Sequence, residues 1–336
     1  MTLSVIVPLY NKERSVKRTL DSIVAQTYRD FEVIVVDDGS TDNGLQVVRG
    51  VGDPRVRIVC HANSGPGAAR NLGAELACGE YLAFLDADDE WAPAFLRSSL
   101  DALQQHADCG FSISAFLDGP ERRNSQVHLD SRGYRPGRYV VGPDTAANTF
   151  DWLLHAYLPS TAVFRRAAFE DSGRFYQKDR CCYGEDMYLF VTAALRHPFV
   201  RLGEPLVWYH REDSQLAHQQ MLTPLLTDPA PAFARCPERN RPVLRGLLAD
   251  RAIQEALRLA CAGTFAHTDA LFAQFISPEF LTRRARNARR QIRAMQWVPK
   301  RVRAQAGDWF VTLSIRGAQT FDGGVRTSAW RRRQSN

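Results

Sequence analysis

Short apolar runs and stretches of helical periodicity alternate over residues 3–89. The runs LSVIVPLY, FEVIVVDDG, VRIVCHA and YLAFLDADD are rich in apolar and β-branched residues and predict four buried strands. Between them lie ERSVKRTLDSIVAQT, DNGLQVVRGV and PGAARNLGAELACG, which predict three helices. This alternation predicts an α/β fold with a parallel sheet and right-handed crossovers. Ligands of such sheets bind beyond the carboxyl ends of the strands.

The rest of the chain has a weaker pattern. Residues 100–157 begin as a helix and become polar and rich in turn residues, which indicates a loop or ribbon over the ligand site. PSTAVFRRAAFEDSGRF resumes ordered structure, GEDMYLFVTAALRH predicts a helix, and VRLGEPLVWYHRED ends in a strand. From about residue 228, a proline-rich connection leads into helical periodicity and then into a basic segment. The change in pattern predicts a domain boundary between residues 227 and 228.

Charge is distributed unevenly along the 336 residues, whose formal total is +6. Residues 281–336 contain fourteen Lys or Arg and two acidic residues, so residues 1–280 are net acidic by about six. No run approaches the roughly 18 consecutive apolar residues of a membrane span, and the N-terminus lacks the features of a signal peptide. The seven cysteines show no C-x-x-C spacing, which argues against a disulfide framework and a zinc site. We therefore expect a cytoplasmic protein.

Three carboxylates, Asp86, Asp88 and Asp89, follow the fourth predicted strand. A surface turn would account for them, because Asp favours turns. Alternate residues of an extended chain point the same way, however, so Asp86 and Asp88 can face one ligand. Mg²⁺ and Mn²⁺ suit such oxygen donors, and they are held by one or two carboxylates together with substrate phosphates. We expect a divalent metal bound to a diphosphate to balance the charge of this cluster.

Asp37 and Asp38 follow the second predicted strand, and Arg70 lies in NSGPGAARNLG. Asp37 and Asp38 belong to a segment that can cap the next helix. The carboxylate of one of them could also accept a hydrogen bond from a nucleotide base. Arg70 is a bidentate donor suited to a phosphate or to an acidic cluster. It occupies the place of the third glycine of a dinucleotide fingerprint, which counts against NAD binding. The sequence has no G-x-x-x-x-G-K-[ST] motif, which excludes a Walker-type NTPase.

These blocks, in this order, resemble the nucleotide-binding half of the family 2 glycosyltransferases. SVIVPLYNKERSVKRTLDSIVAQTYRDFEVIVVDDGSTD, NSGPGAARNLG and GEYLAFLDADD carry the resemblance over about residues 3–120, and YGEDMYLF and WYHREDS extend it over about 155–215. The resemblance implies the GT-A fold, a Rossmann-like nucleotide-sugar-binding sheet with helices on both faces. It also implies one catalytic domain (1–227) with a nucleotide-binding half (1–120) and an acceptor half (121–227). The resemblance does not extend beyond about residue 228, where the pattern and the charge predict a mainly helical, basic C-terminal region (228–336).

The same resemblance assigns roles to individual residues. The donor nucleotide would be bound by residues at the strand ends and by one arginine beside the diphosphate: Pro8, Tyr10, Asn11, Glu13, Asp37, Asp38 and Arg70. Asp88 would bind the metal, and Asp86 would contact the metal, the ribose or the donor sugar. His210 is a further metal candidate, with a structural histidine as the alternative. Glu185 and Asp186 match the acidic base motif, with Asp186 as the general base; the alternative is a pair of acids favoured by a helix N-terminus.

The reaction that the resemblance implies is the inverting transfer of one sugar from a nucleotide-diphospho-sugar, UDP favoured, to a hydroxyl acceptor. The acceptor would be a glycan or a lipid-linked glycan in bacterial surface polysaccharide or glycolipid synthesis. No Q-x-x-R-W follows the base motif, which favours single addition over processive synthesis. A sugar nucleotidyltransferase would need a glycine-rich basic loop where this chain has PLYNKERS. A non-catalytic nucleotide-sugar-binding protein is a second rival, against which the intact acidic motifs argue.

The basic segment mixes arginines with apolar residues in FLTRRARNARRQIRAMQWVPKRVRAQAGDWFVTLSIRG. A helix of this kind can lie on an anionic membrane surface, where each Lys or Arg contributes about 1 kcal/mol. The alternative is a helix whose arginines are solvated or paired with the acidic surface of the catalytic domain. Nucleic acid is not an expected partner, because the basic charge is confined to the tail. We expect a cytoplasmic protein that binds peripherally to the inner face of the membrane.

Overall fold

The computed structural model describes residues 2–146, 157–214, 222–276 and 282–297. The strands are β1 (Leu3–Leu9), β2 (Phe31–Asp37), β3 (Val56–Cys60), β4 (Tyr81–Phe84), β5 (Glu90–Trp91), β6 (Phe111–Asp118), β7 (Arg123–Asn124), β8 (Gly137–Tyr139), β9 (Ala162–Arg165) and β10 (Phe199–Tyr209). The helices are α1 (Val16–Val24), α2 (Gly44–Arg49), α3 (Pro66–Leu76), α4 (Phe95–Gln105), α5 (Ser125–Asp130), α6 (Arg166–Asp171), α7 (Glu185–Arg196), α8 (Pro224–Thr227), α9 (Ala230–Arg235), α10 (Arg241–Ala262), α11 (Phe265–Phe275) and α12 (Arg283–Met295). Short 3₁₀ turns occur at Pro159–Thr161, Lys178–Arg180, Arg211–Asp213 and Glu238–Asn240.

The N-terminal part of the sheet is parallel, as the sequence predicts. β1 pairs in parallel with both β2 and β4, and β2 pairs in parallel with β3. Leu3 is opposite Phe31 on one side and Tyr81 on the other, so the three strands start level with one another. The four predicted strands and the three predicted helices between them are all present. Their carboxyl ends therefore meet at one edge of the sheet.

The other part of the sheet is mixed, and the sequence did not predict one of its strands. The order β3-β2-β1-β4-β9-β6-β10-β5 places β9 antiparallel between β4 and β6, while β10 runs parallel to β6. The expectation of a loop or ribbon over residues 100–157 is wrong for Phe111–Asp118, which forms β6. Ser112 and Ser114 are buried in this strand, at 0% and 2% exposure. These serines interrupt the apolar run by which a buried strand is recognised.

Helices cover both faces of the sheet. Val5 of β1 shares a hydrophobic core with Leu20 of α1 and Leu100 of α4 on one face. Ile6 points to the opposite face, because successive residues of a strand alternate. There α3 lies on β1 so closely that a Cβ on Gly73 would be 2.4 Å from Ile6 Cγ2. The glycine therefore sets the separation of helix and strand.

The chain divides into two compact units, Met1–Leu247 and Leu248–Asn336, with the division inside α10. The domain boundary predicted at residues 227 and 228 stays a prediction. In the second unit, the Thr282 side chain accepts a hydrogen bond from Ala285 N at the start of α12. One side of α12 is buried, and it comprises Ala285, Ala288, Ile292 and Met295. Among the described residues, we find no helix with both the length and the apolar character needed to cross a membrane.

Candidate functional site

A cavity of about 420 Å³ opens where β1, β2 and β4 end. Residues that follow three parallel strands meet at this edge, as expected for ligand sites of such sheets. Six predicted site residues line the cavity: Pro8, Tyr10, Asp38, Arg70, Asp86 and Asp88. Tyr10 is 41% exposed, and aromatic side chains such as this one can stack on planar groups.

Three further predicted donor-site residues accept backbone hydrogen bonds in the loops after β1 and β2. Asn11 Oδ1 accepts a hydrogen bond from Thr41 N at 2.8 Å, and Glu13 Oε2 accepts one from Asn43 N at 3.1 Å. Asp37 Oδ1 accepts the backbone N–H three residues further on, at 3.1 Å. The bonds of Asn11 and Glu13 hold the two loops beside each other, whereas that of Asp37 lies within the loop after β2. A direct contact of these three side chains with a nucleotide stays a prediction.

Asp38 holds the loop that precedes α3. Its Oδ1 accepts a hydrogen bond from Ser64 N at 2.8 Å, and its Oδ2 accepts one from Gly65 N at 2.9 Å. Gly65 has a φ of +90°, and a Cβ there would lie 3.1 Å from the carbonyl oxygens of Arg180 and Cys181. Glycine therefore permits the segment at residues 180–181 to cross the N-terminus of α3. Asp38 thus builds one wall of the cavity.

Arg70 joins the acidic cluster after β4 to the first turn of α7. Its Nη2 lies 2.6 Å from Asp86 Oδ1, and its Nη1 lies 2.9 Å from Glu185 Oε1. The guanidinium also sits 5.0 Å from the centre of the Phe175 ring. Burial acts to lower the pKa of Arg70, but Asp86 and Glu185 together raise it above its ordinary value. The guanidinium therefore keeps its charge although the residue is only 4% exposed.

Lys12 supplies a positive charge to the same acidic cluster. Its Nζ lies 2.6 Å from Asp88 Oδ2 and donates a hydrogen bond to the Asp213 carbonyl oxygen at 2.7 Å. Burial raises the pKa of Asp88, and the nearby Lys12 ammonium opposes that rise. Lys12 thus supplies part of the positive charge that the sequence analysis expected from a metal.

Asp89, the third carboxylate of the cluster, is turned into the protein. Its Oδ2 accepts a hydrogen bond from the Ser160 hydroxyl, and its Oδ1 accepts one from His210 N at 3.3 Å. Burial raises the pKa of Asp89 well above its ordinary value, and the charges of Asp88 and Asp86 raise it further. With 1% exposure, Asp89 positions the turn after β4 rather than facing the cavity.

His210 lies between two carboxylates other than Asp86 and Asp88. Its Nε2 is 2.8 Å from Glu90 Oε1, and its Nδ1 is 3.1 Å from Glu212 Oε1. The imidazole ring also packs against Trp208, with 4.0 Å between the ring centres and 33° between the ring planes. In this arrangement both ring nitrogens are engaged by protein carboxylates. The role of His210 as a metal ligand stays a prediction, and a metal would have to replace one of these contacts.

Glu185 and Asp186 begin α7 immediately after Gly184. Burial, followed by the charge of Asp186, raises the pKa of Glu185 to about 7. Burial also raises the pKa of Asp186, whose Oδ1 accepts a hydrogen bond from Met187 N at 2.7 Å. Within the described part of the chain, Asp186 makes no ion pair, whereas Glu185 is held by Arg70.

Asp86 and Asp88 present hard oxygen donors to the cavity. Over residues 2–146, 157–214, 222–276 and 282–297, no group of three or more His, Cys, Asp or Glu is arranged to hold a metal by itself. Mg²⁺ and Mn²⁺ do not need such a group, because they bind through one or two carboxylates and complete their shell with phosphates and water. The residues present therefore fit a divalent metal that binds together with a diphosphate.

Two charged cavity residues were missed by sequence reasoning, namely Lys12 and Arg180. Lys12 stands three positions after β1 in PLYNKERS, so its place beyond a strand end was an available signal. Arg180 lies in QKDRCCYGED, a polar stretch in which no local pattern separates a cavity residue from a surface residue.

The chain resembles proteins named as glycosyltransferases. The model of the family described as Glycosyl transferase family 2 matches residues 4–173. YibD of Escherichia coli K12, named an uncharacterized glycosyltransferase, is 40% identical over 119 residues, which is 32% of this chain and 35% of YibD. AmsB of Erwinia amylovora, named an amylovoran biosynthesis glycosyltransferase, is 29% identical over 225 residues, 62% of this chain and 70% of AmsB. The chain thus spans about a third of YibD and a larger part of AmsB.

A solved structure of TarS from S. aureus, residues 1–349 in complex with UDP-GlcNAc, has a similar fold. The TM-score is 0.70, and the match covers 92% of each chain at 19% sequence identity. At this identity the likeness concerns the fold alone. It confirms the GT-A architecture that the sequence predicted.

Proposed function

The chain belongs to glycosyl transferase family 2, and from this premise we propose that it transfers one sugar from a nucleotide-diphospho-sugar, with UDP favoured, to a hydroxyl acceptor. The observation that carries the proposal is the position of Asp38, Arg70, Asp86 and Asp88 on the wall of one cavity. A base and ribose need hydrogen-bond acceptors, and a diphosphate needs cations. Both kinds of group are present at this edge of the sheet.

Asp186 is the proposed general base. The acceptor oxygen attacks the anomeric carbon from the face opposite the diphosphate, and the proton of the hydroxyl passes to the Asp186 carboxylate. The bond between the anomeric carbon and the phosphate oxygen breaks, its electron pair stays on that oxygen, and the configuration is inverted. A positioned base contributes about 10²–10⁴ in rate. The raised pKa of Asp186 and its lack of an ion pair among the described residues support this role.

On the donor side, Arg70 is the proposed diphosphate ligand, and Asp86 is proposed to contact the ribose or donor sugar. A divalent metal held by Asp88 would neutralise charge on the diphosphate when bound. Because Lys12 pairs with Asp88, such binding would replace one cation by another at this carboxylate. The oxygen donors of the pair favour Mn²⁺ or Mg²⁺ over softer metals.

The proposed acceptor is a glycan or lipid-linked glycan of a surface polysaccharide or glycolipid, as the name of AmsB suggests. An acceptor of this kind would favour a peripheral position at the inner face of the cytoplasmic membrane. Ile292 and Met295 of α12 are buried, so they do not supply an apolar face for insertion. The exposed side of α12 carries Arg290 and Arg293, and Trp297 follows it at 89% exposure. Membrane contact is therefore proposed as electrostatic attraction with one aromatic anchor.

A thermal-shift screen of UDP-, GDP- and dTDP-sugars with Mn²⁺ tests the proposed donor class. Ligand at about 100 times its Kd stabilises the folded chain by about 2.7 kcal/mol and raises its Tm. We expect a rise for one nucleotide series and no rise for NAD as a control. If none of the nucleotide sugars raised the Tm, the proposal would be contradicted.

A further inference from the structure

Three cations line the cavity, and two of them are already paired with carboxylates. Lys12 lies 2.6 Å from Asp88, and Arg70 bridges Asp86 and Glu185. The side chain of Arg180 is exposed and, as far as the structure describes the chain, has neither a hydrogen-bond nor an ion-pair partner. Arg180 is therefore the cation of the three that lines the cavity without a protein partner among the described residues.

The backbone that carries Arg180 is strained and fixed. Asp179 and Arg180 are both left-handed, with φ values of 56° and 52°. Non-glycine residues in this region cost about 1–3 kcal/mol each and are concentrated at functional sites. The Arg180 carbonyl oxygen packs beside Gly65, in the loop whose amides bind Asp38. The turn at Lys178–Arg180 is thus held against the wall of the cavity.

The charge balance of the cavity shows why an additional cation matters. When the bond to the anomeric carbon breaks, the diphosphate gains one negative charge. Lys12 and Asp88 neutralise each other, and Arg70 is shared between two carboxylates. Each of these cations would have to leave a carboxylate to face the diphosphate fully. Arg180 has no hydrogen-bond or ion-pair partner among the described residues that it would have to leave.

We propose that Arg180 binds the donor diphosphate and stabilises the leaving nucleoside diphosphate, an assignment that rests on the proposed function. A guanidinium presents parallel N–H donors that match two phosphate oxygens. Arg180 also precedes Glu185 by five residues. One segment therefore carries both a residue that binds the donor diphosphate and the start of the base motif. The donor side and the acceptor side of the reaction are thereby linked through residues 180–186.

Calorimetric titration of UDP with Mn²⁺ into the full chain and its Arg180→Gln variant tests this assignment. We expect the variant to bind UDP about tenfold or more weakly, the scale of a charge-assisted hydrogen bond. Uridine, followed by ligand-observed NMR, should bind equally to both proteins. Arg180→Lys should fall between them, because it keeps the charge and loses the planar donor pair. Arg, Gln and Lys are similarly disfavoured in the left-handed backbone conformation of residue 180. We therefore expect neither substitution to change the stability of the fold.

Lys178→Gln is the matched control, since it removes a charge from the same turn outside the cavity, near Asp228 at 3.4 Å. It should leave UDP binding unchanged. Unchanged UDP binding in Arg180→Gln would overturn the assignment, and so would an equal loss for UDP and uridine, which indicates a structural role. If the unmodified chain bound none of UDP, GDP and dTDP, the proposed function itself would fall, and this assignment with it. If GDP or dTDP binds instead of UDP, the same comparison uses that nucleotide and its nucleoside.

Discussion

Lys12 Nζ lies 2.6 Å from Asp88 Oδ2, and this ion pair joins the segments that follow β1 and β4. The sequence predicted that a divalent metal bound to a diphosphate would balance the charge of the acidic cluster after β4. A partly buried carboxylate is costly without a counter-ion, and Lys12 supplies one before any ligand binds. A divalent metal that bound at Asp88 would have to compete with this lysine.

We expect Lys12→Met to lower the Tm and to strengthen the effect of Mn²⁺ on it. Removal of the ammonium leaves Asp88 without its counter-ion, at a cost of about 1–3 kcal/mol, and it also removes a competitor of the metal. The measurement is the Tm of both proteins with and without Mn²⁺. Lys17→Met is the matched control, because Lys17 pairs with Asp21 on an exposed helix face. An equal Mn²⁺-dependent rise in all three proteins would speak against competition at Asp88.

We expect Asp186→Asn to reduce turnover by about a hundredfold or more while donor affinity stays nearly constant, as for a lost general base. Glu185→Gln should instead weaken donor binding, because Glu185 holds Arg70 at 2.9 Å and the amide holds it less strongly. Steady-state kinetics and UDP titration of both variants separate the two roles. If Asp186→Asn loses UDP affinity and keeps its turnover at saturation, Asp186 belongs to the donor site.

The stability of the protein should fall as the pH rises through the neutral range. Burial raises the pKa of Glu185 from 4.5 to about 7, so the folded chain binds this proton more tightly than the unfolded chain. The stabilisation is fully present below about pH 4.5 and is lost as the pH rises through about 7. The pKa values of Asp88, Asp89 and Asp186 are raised in the same direction.

Glu185→Gln should therefore reduce the fall in Tm between about pH 5 and about pH 8, because the amide does not titrate. Glu75→Gln, on the exposed side of α3, is the control and should show the fall of the unmodified chain. A Tm that rose over this interval would contradict the assignment, as would an identical fall in Glu185→Gln.

Much of the parallel half and its cavity was predictable because the signals are local. β1 to β4 are apolar runs of strand length, and their parallel order alone brings Asp38 and Asp86 to one edge. β6 was missed because its buried serines resemble an exposed face. The sequence pattern reports the polarity of a residue, whereas burial depends on strands far away in the chain.

Side-chain partners were the part that the sequence did not predict. Arg70 was expected at either a phosphate or an acidic cluster, and the structure shows it between Asp86 and Glu185. Glu185 lies 115 residues further along the chain, so only the folded chain reveals this contact. The same holds for His210, whose ring nitrogens contact Glu90 and Glu212. A family motif indicates which residues gather at a site, but not which of them face one another.

We expect Arg290→Glu/Arg293→Glu to weaken sedimentation with anionic liposomes, because both arginines lie on the exposed side of α12. At about 1 kcal/mol for each basic residue, charge reversal should lower partitioning by more than tenfold. The control is Arg49→Glu/Arg239→Glu, which makes the same charge change at exposed arginines of the first unit. Equal partitioning of both double variants and the unmodified chain would contradict a membrane role for α12, as would partitioning that does not depend on salt.

The most direct test of the account is the release of nucleoside diphosphate from UDP-, GDP- and dTDP-sugars with Mn²⁺, with water as the acceptor. We expect slow release from one nucleotide series by the unmodified chain. Asp88→Ala should abolish it, because a single remaining carboxylate seldom holds Mn²⁺ against water. Asp186→Asn should slow release while the bound donor can still be detected. Release at an unchanged rate in Asp88→Ala, or no release from any nucleotide sugar by the unmodified chain, would contradict sugar transfer at this cavity.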